Sequence, residues 1–333
     1  MNNNEMKKMA VKAGVFGILS IAIMLQRAAT KHIMITDAAG ASIDRGTSEN
    51  SFNILIDRNV PKEQSGKLII PLSKTVGSDD ITLEDRYMDH ELRIYIDSRE
   101  EGFYLGNAVM TDLDILESAV CITEKDSGSV CLDFKLNDLY ANSSSLTEFN
   151  TIEVEFDKPS RMYDNIVVVD CGADIVEGDS TSVDIALALK EISSSDTEND
   201  IKFYFTRLDN KKADVQKNAE LIKETKPDLV VGINGAEIAF QGLKSVAAYY
   251  NDQFFLRSLN NATFADMIEK SVANNLGAVG QGVFTAESDD QILLSANVPA
   301  ARISVKCMPG EDERKAVATG IYEAVIEAFK KIN

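Results

Sequence analysis

Four carboxylates, Asp170, Asp174, Glu177 and Asp179, crowd into ten positions just after the apolar run 166–169. Oxygen ligands of this kind suit Ca²⁺ or Mg²⁺, and a facing pair of carboxylates can perform acid–base hydrolysis. The spacing matches no calcium-loop pattern, and carboxylates in polar loops are ordinarily solvated, so the cluster alone names no site. Imidazole is scarce, because the chain holds two histidines, His32 and His90. His90 stands between Asp89 and Glu91 and reads as a solvated member of a charged run. Cys121 and Cys131 flank the turn-like stretch 124–128 between two apolar segments. A hairpin there would set the two sulfurs opposite each other, near bridging distance. Two separate buried thiols are the other reading.

The elements that must position these groups divide into three blocks. A chain of 333 residues exceeds the ~250 that one core usually organises, which implies two domains and a leader. Lys7, Lys8 and Lys12 precede an apolar run at 13–25. That run is shorter than the ~20 residues of a spanning helix but fits an export signal. Gln26 and Arg27 follow in place of a small-residue cleavage site, so residues 1–29 are read as an uncleaved membrane anchor or, failing that, a removed signal. Either places the rest of the chain on the extracytoplasmic face of the cell membrane or outside the cell. Residues 30–50 are small and polar and read as a linker. The acidic excess, 53 against 34 basic residues and a net charge of −19, repels phosphate backbones and excludes nucleic acid as a partner class.

Residues 51–159 carry short alternating runs at 52–56, 67–71, 91–96, 119–122, 130–134 and 151–156, separated by turn residues. That pattern predicts a small all-β sandwich. From residue 160 onward the rhythm becomes strand–helix alternation. The β-branched run Ile166, Val167, Val168, Val169 marks a strand buried on both faces, and a stripe of Ile185, Ala186, Leu189 and Ile192 marks the helix after it. Further strands are expected at 201–205, 229–233, 245–250 and 301–305. Further helices are expected to bury Val215, Ala219 and Ile222, then Phe264, Ile268 and Val272, then Val317, Ile321, Ala324 and Ala328. The fold class is therefore α/β, a mostly parallel sheet with helices on both faces, with its working site at the strand C-termini.

At those strand ends the chain resembles a known family. Tyr163-Asp164-Asn165-Ile166-Val167-Val168-Val169-Asp170-Cys171-Gly172-Ala173 looks like the opening of a zinc-dependent N-acetylmuramoyl-L-alanine amidase domain, whose first strand ends in Asp-Pro-Gly-His. Asp184 to Lys190, Phe205 to Asp209, Asp228 to Ile233 and Val298-Pro299-Ala300 are similar to later family segments, in order and at matching spacing. The resemblance spans about half of the chain.

It implies a zinc ion held by two histidines and a glutamate, with a second glutamate as general base toward a metal-bound water. At those places this chain has Ala173 for the first histidine and Gly178, beside Glu177, for the metal-binding glutamate. Asn234 stands for the second histidine, and Ser304 stands for the catalytic glutamate. Neither His32 nor His90 lies in this half, so no zinc and no other cofactor is expected. Asn218 begins the stretch that in the family reads Arg-Val-x-Leu-Ala-Asn. Cys171 and Cys307 each follow a strand that carries site residues in the family, which makes a disulfide across the vacated cleft a candidate; two independent buried cysteines are the alternative. Neither has an imidazole in its own domain to activate it as a nucleophile.

The expectation is a degenerate, non-catalytic copy of the amidase that binds peptidoglycan or regulates an envelope partner such as an active amidase. Arg207, Asn234, Ser304 and Glu177 are its candidate ligand surface. Two competing readings are a hydrolase using other ligands and a purely structural envelope scaffold.

Overall fold

A computed structural model describes residues 34–37, 48–97, 102–124, 128–172, 180–210, 214–237, 242–252, 258–288 and 290–332. The anchor expected at 1–29 lies outside them, as do His32, Ala173, Asp174, Glu177, Gly178 and Asp179. Among the described residues no helix is long and apolar enough to cross a membrane.

The first domain is built from β1 (Met34–Asp37), β2 (Ser48–Asn53), β3 (Ile56–Asp57), β4 (Lys67–Pro71), β5 (Ile81–Arg86), β6 (Glu91–Ile96), β7 (Val109–Met110), β8 (Leu116–Glu124), β9 (Val130–Leu136), β10 (Ala141–Leu146) and β11 (Thr151–Asp157). They form two sheets, ordered β1-β5-β6-β9-β8-β2 and β10-β11-β4-β7-β3. Leu68, Ile70, Ile152 and Val154 of one sheet meet Leu83, Leu92, Ile94, Leu132 and Phe134 of the other in a single core. Alternation delivers those residues inward, as a sandwich requires.

The stretch read as a linker is corrected here. Within it, β1 pairs in parallel with β5, and β2 pairs antiparallel with β8, so part of it belongs to the sheet. Further strands were missed in the sequence, the two-residue β7 and the segment Val279–Thr285 of the second domain among them, and two are informative. β5 carries Glu84 and Asp85, charges that suggest a loop; both are buried, and Glu84 accepts a hydrogen bond from the Tyr95 hydroxyl at 2.8 Å. β10, with three consecutive serines, pairs along its whole length with β11.

The second domain holds a sheet of β12 (Ile166–Cys171), β13 (Lys202–Phe205), β14 (Leu229–Glu237), β15 (Ser245–Tyr250), β16 (Val279–Thr285) and β17 (Ala300–Cys307), ordered β13-β12-β14-β17-β15-β16. The first four strands in that order are mutually parallel, while β15 runs antiparallel to β17 and carries β16 at the edge. Helices α1 (Thr181–Ser195), α2 (Val215–Thr225), α3 (Asn261–Leu276), α4 (Gln291–Ser295) and α5 (Glu311–Ile332) complete the layer. Asp214, Asn260 and Asp290 cap α2, α3 and α4 by accepting backbone N–H bonds, which satisfies donors that a helix start leaves orphaned. Gly277, at φ +61°, closes α3. Gly320 of α5 lies so close to α3 that an added Cβ would come within 2.6 Å of Val272 Cα. On α2 the buried stripe is Asn218, Leu221, Ile222 and Thr225, rotated from the expected Val215–Ala219–Ile222 face.

The domains meet at the 3-10 turn Tyr87–Asp89. Tyr87 belongs to the α/β core and stacks edge-on against Tyr204, ring centroids 5.0 Å apart. Beside it the His90 imidazole lies 2.9 Å from the Glu224 carboxylate, and Lys217 Nζ donates to Asp89 at 2.9 Å. His90 is therefore a half-buried partner at the domain junction, not the solvated residue its charged neighbours suggest.

Candidate functional site

One face of β12, β14 and β17 ends in Asp170, Gly232 and Arg302 at one level and in Gly172, Asn234 and Ser304 one step nearer the strand tips. Register sets this, since Asp170 pairs with Gly232, Gly232 with Arg302, and Asn234 with Ser304, and side chains two apart on a strand share a face. The opposite faces of the same strands are apolar: Val169, Cys171, Ile233, Ile303 and Val305 are all fully buried.

Arg302 is 8 % exposed and is bound on several sides. Nε donates to Asp290 Oδ2 at 2.6 Å and Nη2 to Asp290 Oδ1 at 2.9 Å, a bidentate fork. Nη2 also lies 3.0 Å from Asp170 Oδ2, and Nη1 reaches toward Asn234 Oδ1 at 3.5 Å. Asp170 is held from its other side, where Oδ1 accepts from the Thr206 hydroxyl at 3.2 Å and from the Asn218 amide at 2.9 Å. Thr206 in turn accepts the Cys171 N–H at 3.1 Å. Burial by itself would lower the Arg302 basicity, but the hydrogen bonds it donates to Asp290 and the charge of Asp170 more than offset it and raise it. Burial likewise pushes the Asp290 carboxyl up, yet the Arg302 hydrogen bonds prevail and hold it below its ordinary value. The result is a permanently ionised guanidinium at the strand tips.

Of the expected residues, the fold brings Asn234 and Ser304 side by side on adjacent strands, both half-buried. Arg207 is corrected: it is 4 % exposed, and its Nη2 donates to the Gly172 carbonyl at 2.9 Å. It braces the strand end and presents no free guanidinium to a ligand. Ala173, Glu177 and Gly178 lie outside the described residues.

Neither disulfide is compatible with the sheet. In the β8–β9 hairpin Cys121 pairs with Leu132 and Cys131 with Ile122, so the cysteines are one position out of register. Adjacent positions point to opposite faces, and Cys121 lies in the sandwich core while Cys131 pairs with Tyr95 on the outer side. Cys171 and Cys307 sit on strands separated by β14 and are offset by four residues, since Cys171 pairs with Ile233 and Ile233 with Ile303. That separation is about 16 Å from strand geometry, well beyond the ~7 Å limit for a bridge. Burial pushes the Cys171 thiol up, and the neighbouring Asp170 charge adds to the effect, so it is a poor nucleophile.

Sequence reasoning missed Arg302, Asp290, Asn218 and Thr206. One signal was available: a lone arginine inside the apolar strand Ala300-Ala301-Arg302-Ile303 must have buried carboxylate partners.

Asn234 and Ser304 are neutral groups where the family resemblance implies imidazole and carboxylate, and the Arg302 cation lies directly beneath them. Among the described residues no group of three histidine, cysteine or acidic side chains is placed to hold a metal.

No protein-family model matches the chain, and no curated protein matches it. Solved structures do. The chain is similar to the N-acetylmuramoyl-L-alanine amidase from Clostridium difficile 630 (18 % identity, TM-score 0.43, 51 % of this chain and 98 % of that one). It is similar to the catalytic domain of CwlV, an N-acetylmuramoyl-L-alanine amidase from Bacillus (Paenibacillus) polymyxa (16 %, TM-score 0.42, 50 % and 99 %). A third, the CwlD amidase from Clostridioides difficile, was solved in complex with the GerS lipoprotein (15 %, TM-score 0.40, 50 % and 98 %).

Proposed function

We propose that this is an extracytoplasmic cell-envelope protein whose amidase-like half binds peptidoglycan or an envelope protein without hydrolysing it. The observation that carries this reading is the Arg302–Asp170–Asp290 cluster beneath Asn234 and Ser304. A buried, ionised guanidinium lies one step below Asn234 and Ser304, the places where the resemblance implies a histidine and a glutamate, and those two side chains are neutral hydrogen-bonding groups. Such groups suit the amides and hydroxyls of a glycan or stem peptide, which need no charge to be recognised. The ligand class comes from the family-like strand and helix segments in the sequence. Membrane anchoring through residues 1–29 belongs to the same proposal.

The test pairs sedimentation with insoluble peptidoglycan and dye release from labelled peptidoglycan. The expected result is co-sedimentation with no release, and retention weakened roughly five- to tenfold in an Asn234→Ala/Ser304→Ala variant, as the loss of one or two hydrogen bonds implies. Protein that stays in the supernatant points to a scaffold that touches no glycan. Stoichiometric zinc with chelator-sensitive cleavage overturns the reading.

A further inference from the structure

The Arg302 guanidinium is enclosed as a bound cation would be. Four oxygens from three separate segments point at it: Asp170 Oδ2 from β12, Asn234 Oδ1 from β14, and both carboxylate oxygens of Asp290 from the α4 cap. Space for it comes from two glycines. A Cβ on Gly232 would lie 2.7 Å from Arg302 Nη1 and 2.8 Å from its Cζ, and a Cβ on Gly172 would lie 3.0 Å from Nη1. A Cβ on Gly232 would collide with the cation, while one on Gly172 would strike Asn234 Oδ1 and crowd the guanidinium.

We infer that Arg302 is a resident cation serving an oxygen-lined site, tying β12, β14 and β17 to α4 as a bound metal ion ties its ligands and excluding divalent ions from the strand tips. The charges support it. Asp170 and Asp290 bring two negative charges into a largely buried place, and Arg302 is the cation that touches both. Removing one partner of such a network strands the others uncompensated, which is far more costly than never having built it. A divalent ion seeking the oxygens of Asp170, Asp290 and Asn234 would find them already engaged by the guanidinium, so Arg302 excludes it by occupying its ligands. The cross-link for which a disulfide between Cys171 and Cys307 was one candidate is thus provided by an arginine. This inference holds whatever the cleft binds, so its failure is separable from failure of the binding proposal.

The experiment compares melting temperatures of the full chain with Arg302→Lys, Arg302→Met, Arg302→Ala and the triple variant Arg302→Met/Asp170→Asn/Asp290→Asn. Arg302→Met should lower Tm by roughly 8–12 °C, the lysine variant should lose less, and the triple variant should recover most of the loss. Low-millimolar guanidinium chloride should raise the Tm of Arg302→Ala saturably, as ligand binding to the folded state does, while sodium chloride should not. Manganese should leave the unsubstituted protein unchanged. A methionine variant that melts within ~2 °C of the parent, or equal effects of guanidinium and sodium, overturns the inference. Should Arg302→Ala accumulate only as aggregate, the ordering of the lysine, methionine and triple variants decides by itself.

Discussion

The hydroxyl of Tyr87 donates to the Phe205 carbonyl at 2.9 Å and accepts from the Phe205 amide at 2.8 Å. One side chain of the sandwich thereby satisfies both backbone groups on the open edge of β13. Edge strands leave such groups unpaired, and β13 is the edge of its sheet. The next residue, Thr206, contacts Asp170, so the docking point lies one position from the buried cluster. Tyr87→Phe removes only the hydroxyl and leaves a buried N–H and C=O without this partner. A loss of ~2–3 kcal/mol is expected, read by denaturant unfolding. Amide exchange at Phe205 should accelerate, and an unchanged exchange rate there would show that the contact is not maintained in solution.

Acid should weaken the same junction. Burial pushes the Asp89 carboxyl up, but hydrogen bonds from Arg86 and Lys217 outweigh it and bring it to about 2. A carboxyl depressed in the folded state contributes its full stability above the unfolded value near 3.8, and that contribution disappears as pH falls through about 2. His90, Glu91, Glu224 and Lys135 share the surroundings. Lys217→Met should flatten the stability–pH curve between pH 4 and pH 2. A curve unchanged in shape would remove Lys217 from the account.

Helix packing supplies a steric test. Beyond its contact with Val272 Cα, a Cβ on Gly320 would come within 2.9 Å of Val272 N and 3.0 Å of Ser271 O. These are backbone atoms that cannot swing aside, so Gly320→Ala must push α5 from α3. Overpacking of this kind costs about 1–3 kcal/mol, which outweighs the usual helix-propensity gain of alanine over glycine. A Gly320→Ala variant as stable as the parent would show that the two helices separate freely.

Peptide mapping of protein digested without reductant should recover neither a Cys121–Cys131 nor a Cys171–Cys307 linked pair. Cys121 is fully buried in the sandwich core, and burial pushes its thiol up to about 11. It should therefore resist alkylation in the native protein and react once denatured. Native-state labelling of Cys121 would place that part of the hairpin differently.

How far the sequence could be read is plain from particular elements. The strands at 67–71 and 91–96 coincide with β4 and β6, because alternation and flanking turn residues are local properties of the chain. The Ile166–Val169 run reads correctly as a doubly buried strand for the same reason. β5 and β10 were illegible, since a charged or serine-rich segment becomes a strand only when neighbours supply hydrogen bonds. The α2 stripe was misjudged by about one position because Asn218, a polar residue, turns inward to reach Asp170.

From the amino acids alone come the α/β layering, the preceding β domain and the lack of imidazole in the second half, since composition and periodicity need no three-dimensional partner. Tertiary structure alone decided the rest. The one-residue register of β8 against β9 separated Cys121 from Cys131, and the strand order set Cys171 far from Cys307. The convergence of Asp170, Asp290 and Arg302 joins residues up to 132 positions apart. Pairing across sheets is long-range, and no local pattern records which buried carboxylate a buried arginine will meet.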